Sequence, residues 1–179
     1  MTLAGGRWSP SRLVAHCRQH IEIDFNACAG LVFAKTGSWL DQVKIIIVHG
    51  VLRWRFNDPQ HYRHHDPRIR AIVAGMPYAA DFDLSSLQTP RVPLALITAR
   101  RDVWLHPQFH SDPLLKVCRS CVRLHDFQHG GHGAMLSPTR SYRAGLLADL
   151  LGDPPQFDRR ETALAHQKVV QYFQQQLLP

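Results

Sequence analysis

The chain has 179 residues, enough for one globular core, with 45% hydrophobic and 20% charged residues, as in ordinary soluble proteins. No apolar run approaches the ~18 residues of a membrane span, and Met1 to Arg7 lacks the charged and apolar regions of a signal peptide, so the sequence as it stands reads as cytoplasmic with no membrane partner. The net charge is +7, but Lys and Arg are dispersed among 14 acidic residues and no basic run exceeds Arg100-Arg101, which argues against nucleic acid and for a solvated basic surface.

Thr2 to Gly6 has the character of a last helical turn ending in a glycine pair. Ser9 as N-cap with Pro10 at the first helical position predicts a helix to about His20, with Leu13, Val14 and Cys17 on one face. His16 and His20 have the i, i+4 spacing of metal ligands, but no Glu follows His16 and no third ligand is evident, so no metal site is expected. Phe25 to Gly37 is irregular. Trp39 to Asn57 reads as a helix, with Val43, Ile46, Ile47, Leu52 and Phe56 as its recurring apolar positions, in preference to a strand over Ile45 to Val48. The His-rich stretch Asp58 to Pro67 reads as a solvated loop rather than a metal cluster.

Ala71 to Pro77 and Val92 to Ala99 are compact apolar runs that suit buried parallel strands. Between them lies loop with a turn at Asp83 to Leu87. A helix is expected within Pro107 to Val117, a third strand at Val122 to Phe127, a Gly-rich loop at His129 to Gly133 and a helix at Ser141 to Leu151. Asp153-Pro154-Pro155 is a break before a final amphipathic helix from Arg159 to Leu178, whose expected buried stripe is Leu164, Val169, Val170, Phe173 and Leu177. Alternation of this kind predicts an α/β fold with about three parallel strands and flanking helices. An outer strand of so small a sheet leaves an open edge.

Cys118-Arg119-Ser120-Cys121 is a C-x-x-C without the second pair or spaced His that zinc needs. It also lies where a helix hands over to a strand, not at the helix start of a thioredoxin-type site. Cys118 and Cys121 are therefore read as buried or loop cysteines, with a disulfide as the alternative for an exported parent protein.

Asp102 follows the second apolar strand, where open parallel sheets place functional groups. His132 follows the third, in Gly130-Gly131-His132-Gly133. Strand, Asp, helix, strand, Gly-His is the acid-then-base half of a hydrolase triad. Asp102 is the candidate acid and His132 the candidate base; His129, Asp126 and Asp112 are the weaker competitors.

These stretches give the chain a resemblance to the C-terminal portion of the α/β-hydrolase superfamily, in its dienelactone-hydrolase-like branch. Asp66 to Val73 resembles the sixth strand and its approach; Pro93 to Asp102, with Leu105 and Pro107, the seventh strand and acid loop. The cysteine pair followed by Gly130 to Gly133 resembles the eighth strand and histidine loop, and Asp158-Arg159-Arg160 with the Phe173 helix the closing helix. The resemblance implies a partial α/β-hydrolase fold over 1–179, one domain, with the early strands, the oxyanion loop and the nucleophile turn outside it. It implies hydrolysis of a small-molecule ester or lactone when completed, without cofactor, and a periplasmic or exported location for a full-length parent. Ser38, Ser111, Ser137, Cys17 and Cys28 all lie in the wrong context for a nucleophile, so the chain alone is expected to be inactive. The alternative is a non-catalytic module that binds a partner, or a second copy, through the open sheet edge.

Overall fold

The computed structural model describes residues 1–136 and 145–178. Its elements in chain order are β1 (Arg7–Trp8), α1 (Pro10–His20), α2 (Phe25–Ala29), α3 (Leu40–Arg55), β2 (Tyr62–Arg63), β3 (Ile72–Gly75), β4 (Phe82–Asp83), β5 (Leu94–Ala99), α4 (Ser111–Val117), β6 (Val122–Phe127), α5 (Leu146–Leu151) and α6 (Arg160–Leu177). Short 3-10 turns occupy Thr2–Ala4, Leu84–Leu87 and His132–Met135. The fold is mixed α/β, with six strands in two small sheets among the described residues.

The three apolar runs form a parallel sheet in the order β3-β5-β6. β5 is its centre, and all six of its residues are buried. Successive side chains of a strand face opposite sides of the sheet, so a strand covered on both faces must be apolar throughout. Leu94 and Leu96 pack with Leu114 of α4, Leu87 and Ala4. Ile97 and Ala99 pack on the other face with Phe127, Ala134 and Ala165 of α6.

The sequence reading missed the second sheet, antiparallel in the order β2-β1-β4. Its strands have two residues each, too few to show a period-2 pattern. Trp8 stacks on Tyr62 across it, and Arg7 Nη2 donates to Asp83 Oδ2 at 2.6 Å. The stretch read as a His-rich loop therefore contains a paired strand.

α1 begins as expected after an extended Ser9, with Pro10 in its first turn, although the Ser9 hydroxyl pairs with Ser11 Oγ and makes no cap bond. α1, α2 and α3 share a core of Cys17, Ile21, Phe25, Cys28, Ile45, Val48 and Leu52. The helix expected at 39–57 is present, but its buried face is Ile45, Val48 and Leu52; Val43, Ile46 and Ile47 face outward. Asp41 holds its start: the carboxylate accepts from the N–H groups of Thr36 and Gly37 and from Lys44 Nζ. α6 shows the same displacement, burying Thr162, Ala165 and Tyr172 and leaving Leu164, Val170 and Leu177 exposed. Both helices carry apolar residues on more than one face, so periodicity alone does not select the face that packs. The expected helix at 141–151 is α5 from Leu146; residues 141–144 lie outside the described part.

At Cys118 and Cys121 the disulfide alternative holds, and a second disulfide joins Cys17 to Cys28. Cys17–Cys28 and Cys118–Cys121 are disulfides, with Cα atoms 5.7 and 5.5 Å apart, and no described cysteine is free. Packing of α2 on α1 brings the first pair together, and the turn between α4 and β6 closes the second. No described helix is long and apolar enough to cross a membrane.

The burial differences predict a contrast between two leucines. Leu96→Ala empties a fully buried site on β5 and should cost about 3 kcal/mol. Leu164→Ala, on the exposed side of α6, should stay within about 0.5 kcal/mol. Urea midpoints of the two variants check this.

Candidate functional site

The C-terminal ends of β3, β5 and β6 converge on the loops that carry the candidate acid and base. Beyond the strands the backbone pairing continues: Arg100 N donates to Phe127 O and Arg101 N to Gly130 O. These bonds bring the acid loop against the histidine loop. The approach is close, because a Cβ on Gly130 would lie 2.6 Å from Phe127 Cβ, and one on Gly133 would lie 2.6 Å from Leu151 O. Glycine fits here for want of a side chain. Met76, just past β3, has a φ of 40°, a conformation unfavourable for a residue with a side chain. Strained backbone of this sort collects at functional sites.

Asp102 is buried, its side chain 1% exposed, and its carboxylate is fully engaged. Oδ1 accepts from the N–H groups of Trp104 and Leu105, each at 2.9 Å. Oδ2 lies 2.8 Å from His132 Nδ1. A carboxylate only accepts, so Nδ1 carries the proton and Nε2 is left as the basic nitrogen of the neutral ring. His132 is about a quarter exposed, and no described side chain hydrogen-bonds its Nε2. α6 anchors the turn that begins at His132: Thr162 Oγ1 donates to Ala134 O at 2.8 Å, and His166 Nε2 to Met135 O at 3.0 Å.

The competitors have other partners. Asp126 accepts from Thr98 Oγ1 and Arg100 Nε, and Asp112 pairs with Arg100 Nη1. Burial pushes the Asp126 pKa up, but these bonds and the Arg100 charge outweigh it and hold the carboxyl below its usual range. His129 is exposed and makes no side-chain hydrogen bond among the described residues. Of the serines considered, Ser38 bonds Thr36, Ser111 is buried at the start of α4, and Ser137 lies outside the described part. Cys17 and Cys28 are consumed in their disulfide.

A second constellation escaped the sequence reading. Asp24, fully buried between α1 and α2, has its Oδ2 2.8 Å from His16 Nε2 and 3.0 Å from His110 Nε2. Ala79 N–H donates to His110 Nδ1, which leaves the ring proton on Nε2, close to the carboxylate but off hydrogen-bond alignment. Asp24 Oδ1 has no partner among the described residues. Burial pushes the Asp24 pKa up, but the adjacent His110 and His16 rings prevail and hold it at about 2. The three residues come from α1, the turn after it and the start of α4, so no local spacing announces them. They fasten α1 and the turn after it to the start of α4 and to the backbone at Ala79, and no described group of three His, Cys, Asp or Glu is arranged to hold a metal ion. An open cleft of about 450 Å³ lies alongside, lined by Arg12, His16, His20, Ser85 and Phe109 among others, and neither Asp102 nor His132 lines it.

Comparison with family models, with curated proteins and with solved structures gives no match. The chain is a mixed α/β protein in which a buried Asp102 contacts a partly exposed His132.

Asp24→Asn leaves two imidazoles without the charge they face and should cost about 3 kcal/mol, read from the urea midpoint. The Asp24 pKa in the fold lies below the ~3.9 of an unfolded chain. Its contribution to stability is therefore complete above about pH 4 and lost as the pH falls toward 2. The variant should lack that part of the acid-side loss.

Proposed function

We propose that this chain supplies the acid and base, Asp102 and His132, of a serine-type hydrolase of the dienelactone-hydrolase-like kind, acting on a carboxylic ester or lactone. The observation that carries the reading is the 2.8 Å contact of His132 Nδ1 with a buried carboxylate whose other oxygen is held by two backbone N–H groups. In such a pair the acid fixes the tautomer and orientation of the ring and stabilises the imidazolium. The base takes the nucleophile's proton and returns it to the leaving group. The position beyond the C-terminal ends of a parallel sheet favours the same assignment.

In this reading the nucleophile and the oxyanion donors are not among the described residues. Among the described residues no hydroxyl meets His132 Nε2, and no thiol is free. Removing one member of a triad typically lowers the rate by ~10⁴-fold, and absent oxyanion donors lower it further. Two disulfides favour an oxidising compartment, periplasmic or extracellular, over the cytoplasm. A second reading, a non-catalytic module, draws support from the outer edge of β3, which has no strand partner among the described residues. Molar mass rising with concentration in light scattering would favour it.

The assay is hydrolysis of an aryl ester and an aryl lactone by the purified chain and by His132→Ala. Neither should show saturable turnover. A longer chain translated from the same frame, with a strand-Gly-x-Ser-x-Gly segment ahead of Thr2, should be active and lose ~10⁴-fold on either His132→Ala or Asp102→Asn. Saturable, His132-dependent turnover by the 179-residue chain would show that it holds its own nucleophile. An active longer chain indifferent to both substitutions would overturn the assignment.

A further inference from the structure

α3 is apolar on two sides. Ile45, Val48 and Leu52 face the core with Asp41. On the 3.6-residue repeat, Trp39, Val43, Ile46, Ile47, Gly50 and Trp54 fall on the opposite side, along the length of the helix. These side chains are open to solvent, at 85% for Trp54, 77% for Trp39 and 70% for Ile46. A surface helix ordinarily turns charged and polar residues outward. The outer stripe here contains no charged residue at all.

Its flanks carry Leu40, Gln42, Lys44, His49, Val51, Arg53 and Arg55, and the carboxylate beside them, Glu22, is engaged by Gln42 and Lys35. Arg53 and Arg55, at the C-terminal end, are exposed and have no acidic partner among the described residues. The one acidic residue of the helix, Asp41, is buried and engaged by Lys44 and the 36–37 backbone. A contiguous apolar patch of this kind marks an interaction surface. Its charge selects the partner. Two copies of α3 packed about a twofold axis would offer the arginines of each only the carboxylate of Glu22, which Lys35 and Gln42 already engage. An anionic lipid surface satisfies both halves of the pattern: apolar side chains enter the acyl boundary and arginines meet phosphate headgroups. Tryptophans near the two ends of the stripe suit the headgroup level, where an apolar ring with one N–H donor is best placed.

We propose that the outer face of α3 is a peripheral docking site for an anionic phospholipid bilayer, with the helix lying in the plane of the interface. The site does not depend on the Asp102–His132 reading. It does not conflict with the absence of a spanning helix among the described residues, because an interfacial helix does not cross the bilayer.

The test is co-sedimentation of the full chain with vesicles of phosphatidylcholine alone and of phosphatidylcholine with about one third phosphatidylglycerol. The chain should pellet with the anionic vesicles and not with the neutral ones, and added salt should release it. Arg53→Gln and Arg55→Gln should each weaken binding roughly fivefold. Ile46→Glu and Trp54→Glu should abolish it while leaving the thermal midpoint unchanged, since both side chains are exposed. Failure to pellet with either vesicle would overturn the proposal, as would equal binding to both. A dimer in light scattering that Ile46→Glu dissociates would assign the face to a second copy and would overturn it equally.

Discussion

Strand β5 is hydrogen-bonded along both edges and buried along its whole length, and the remainder of the parallel sheet is set by it. A strand in that position must supply apolar side chains to two faces at once. Leu94 and Leu96 bind the α4 side, while Ile97 and Ala99 bind the α6 side. Where the apolar run ends, the chain leaves the core as Arg100-Arg101-Asp102. The backbone bonds from Arg100 to Phe127 and from Arg101 to Gly130 then carry the β5–β6 pairing into the loops. Asp102 and His132 meet because two neighbouring parallel strands end side by side.

That relation explains which parts of the structure were legible. A fully buried strand leaves a run of apolar residues with an abrupt charged end, and such a run is visible in a single sequence. The same holds for β3 and β6, for the helix after Ser9-Pro10, and for the long helix that became α3. Chain order alone then selected Asp102 over Asp112 and Asp126, and His132 over His129. The structure separates these groups by their partners, since Asp112 and Asp126 are both tied to Arg100.

What stayed hidden was long-range or very short. β1, β2 and β4 are two-residue strands whose pairing joins residues far apart in the chain. Asp24, His16 and His110 converge from the turn after α1, from α1 and from the start of α4; the local spacing of His16 points to His20 and not to the carboxylate that it meets. The disulfides depend on which helix faces pack, which composition does not reveal. The apolar residues of α3 are visible as a periodicity, but periodicity marks a face without saying what covers it.

The chemistry of the dyad turns on one proton. The most direct measurement is the nitrogen spectrum of the His132 ring in the folded chain near neutral pH. The account predicts the tautomer with the proton on Nδ1, a strongly downfield Nδ1–H signal, and loss of that signal in Asp102→Asn. A ring protonated on Nε2 alone, or one that does not respond to Asp102→Asn, would contradict it.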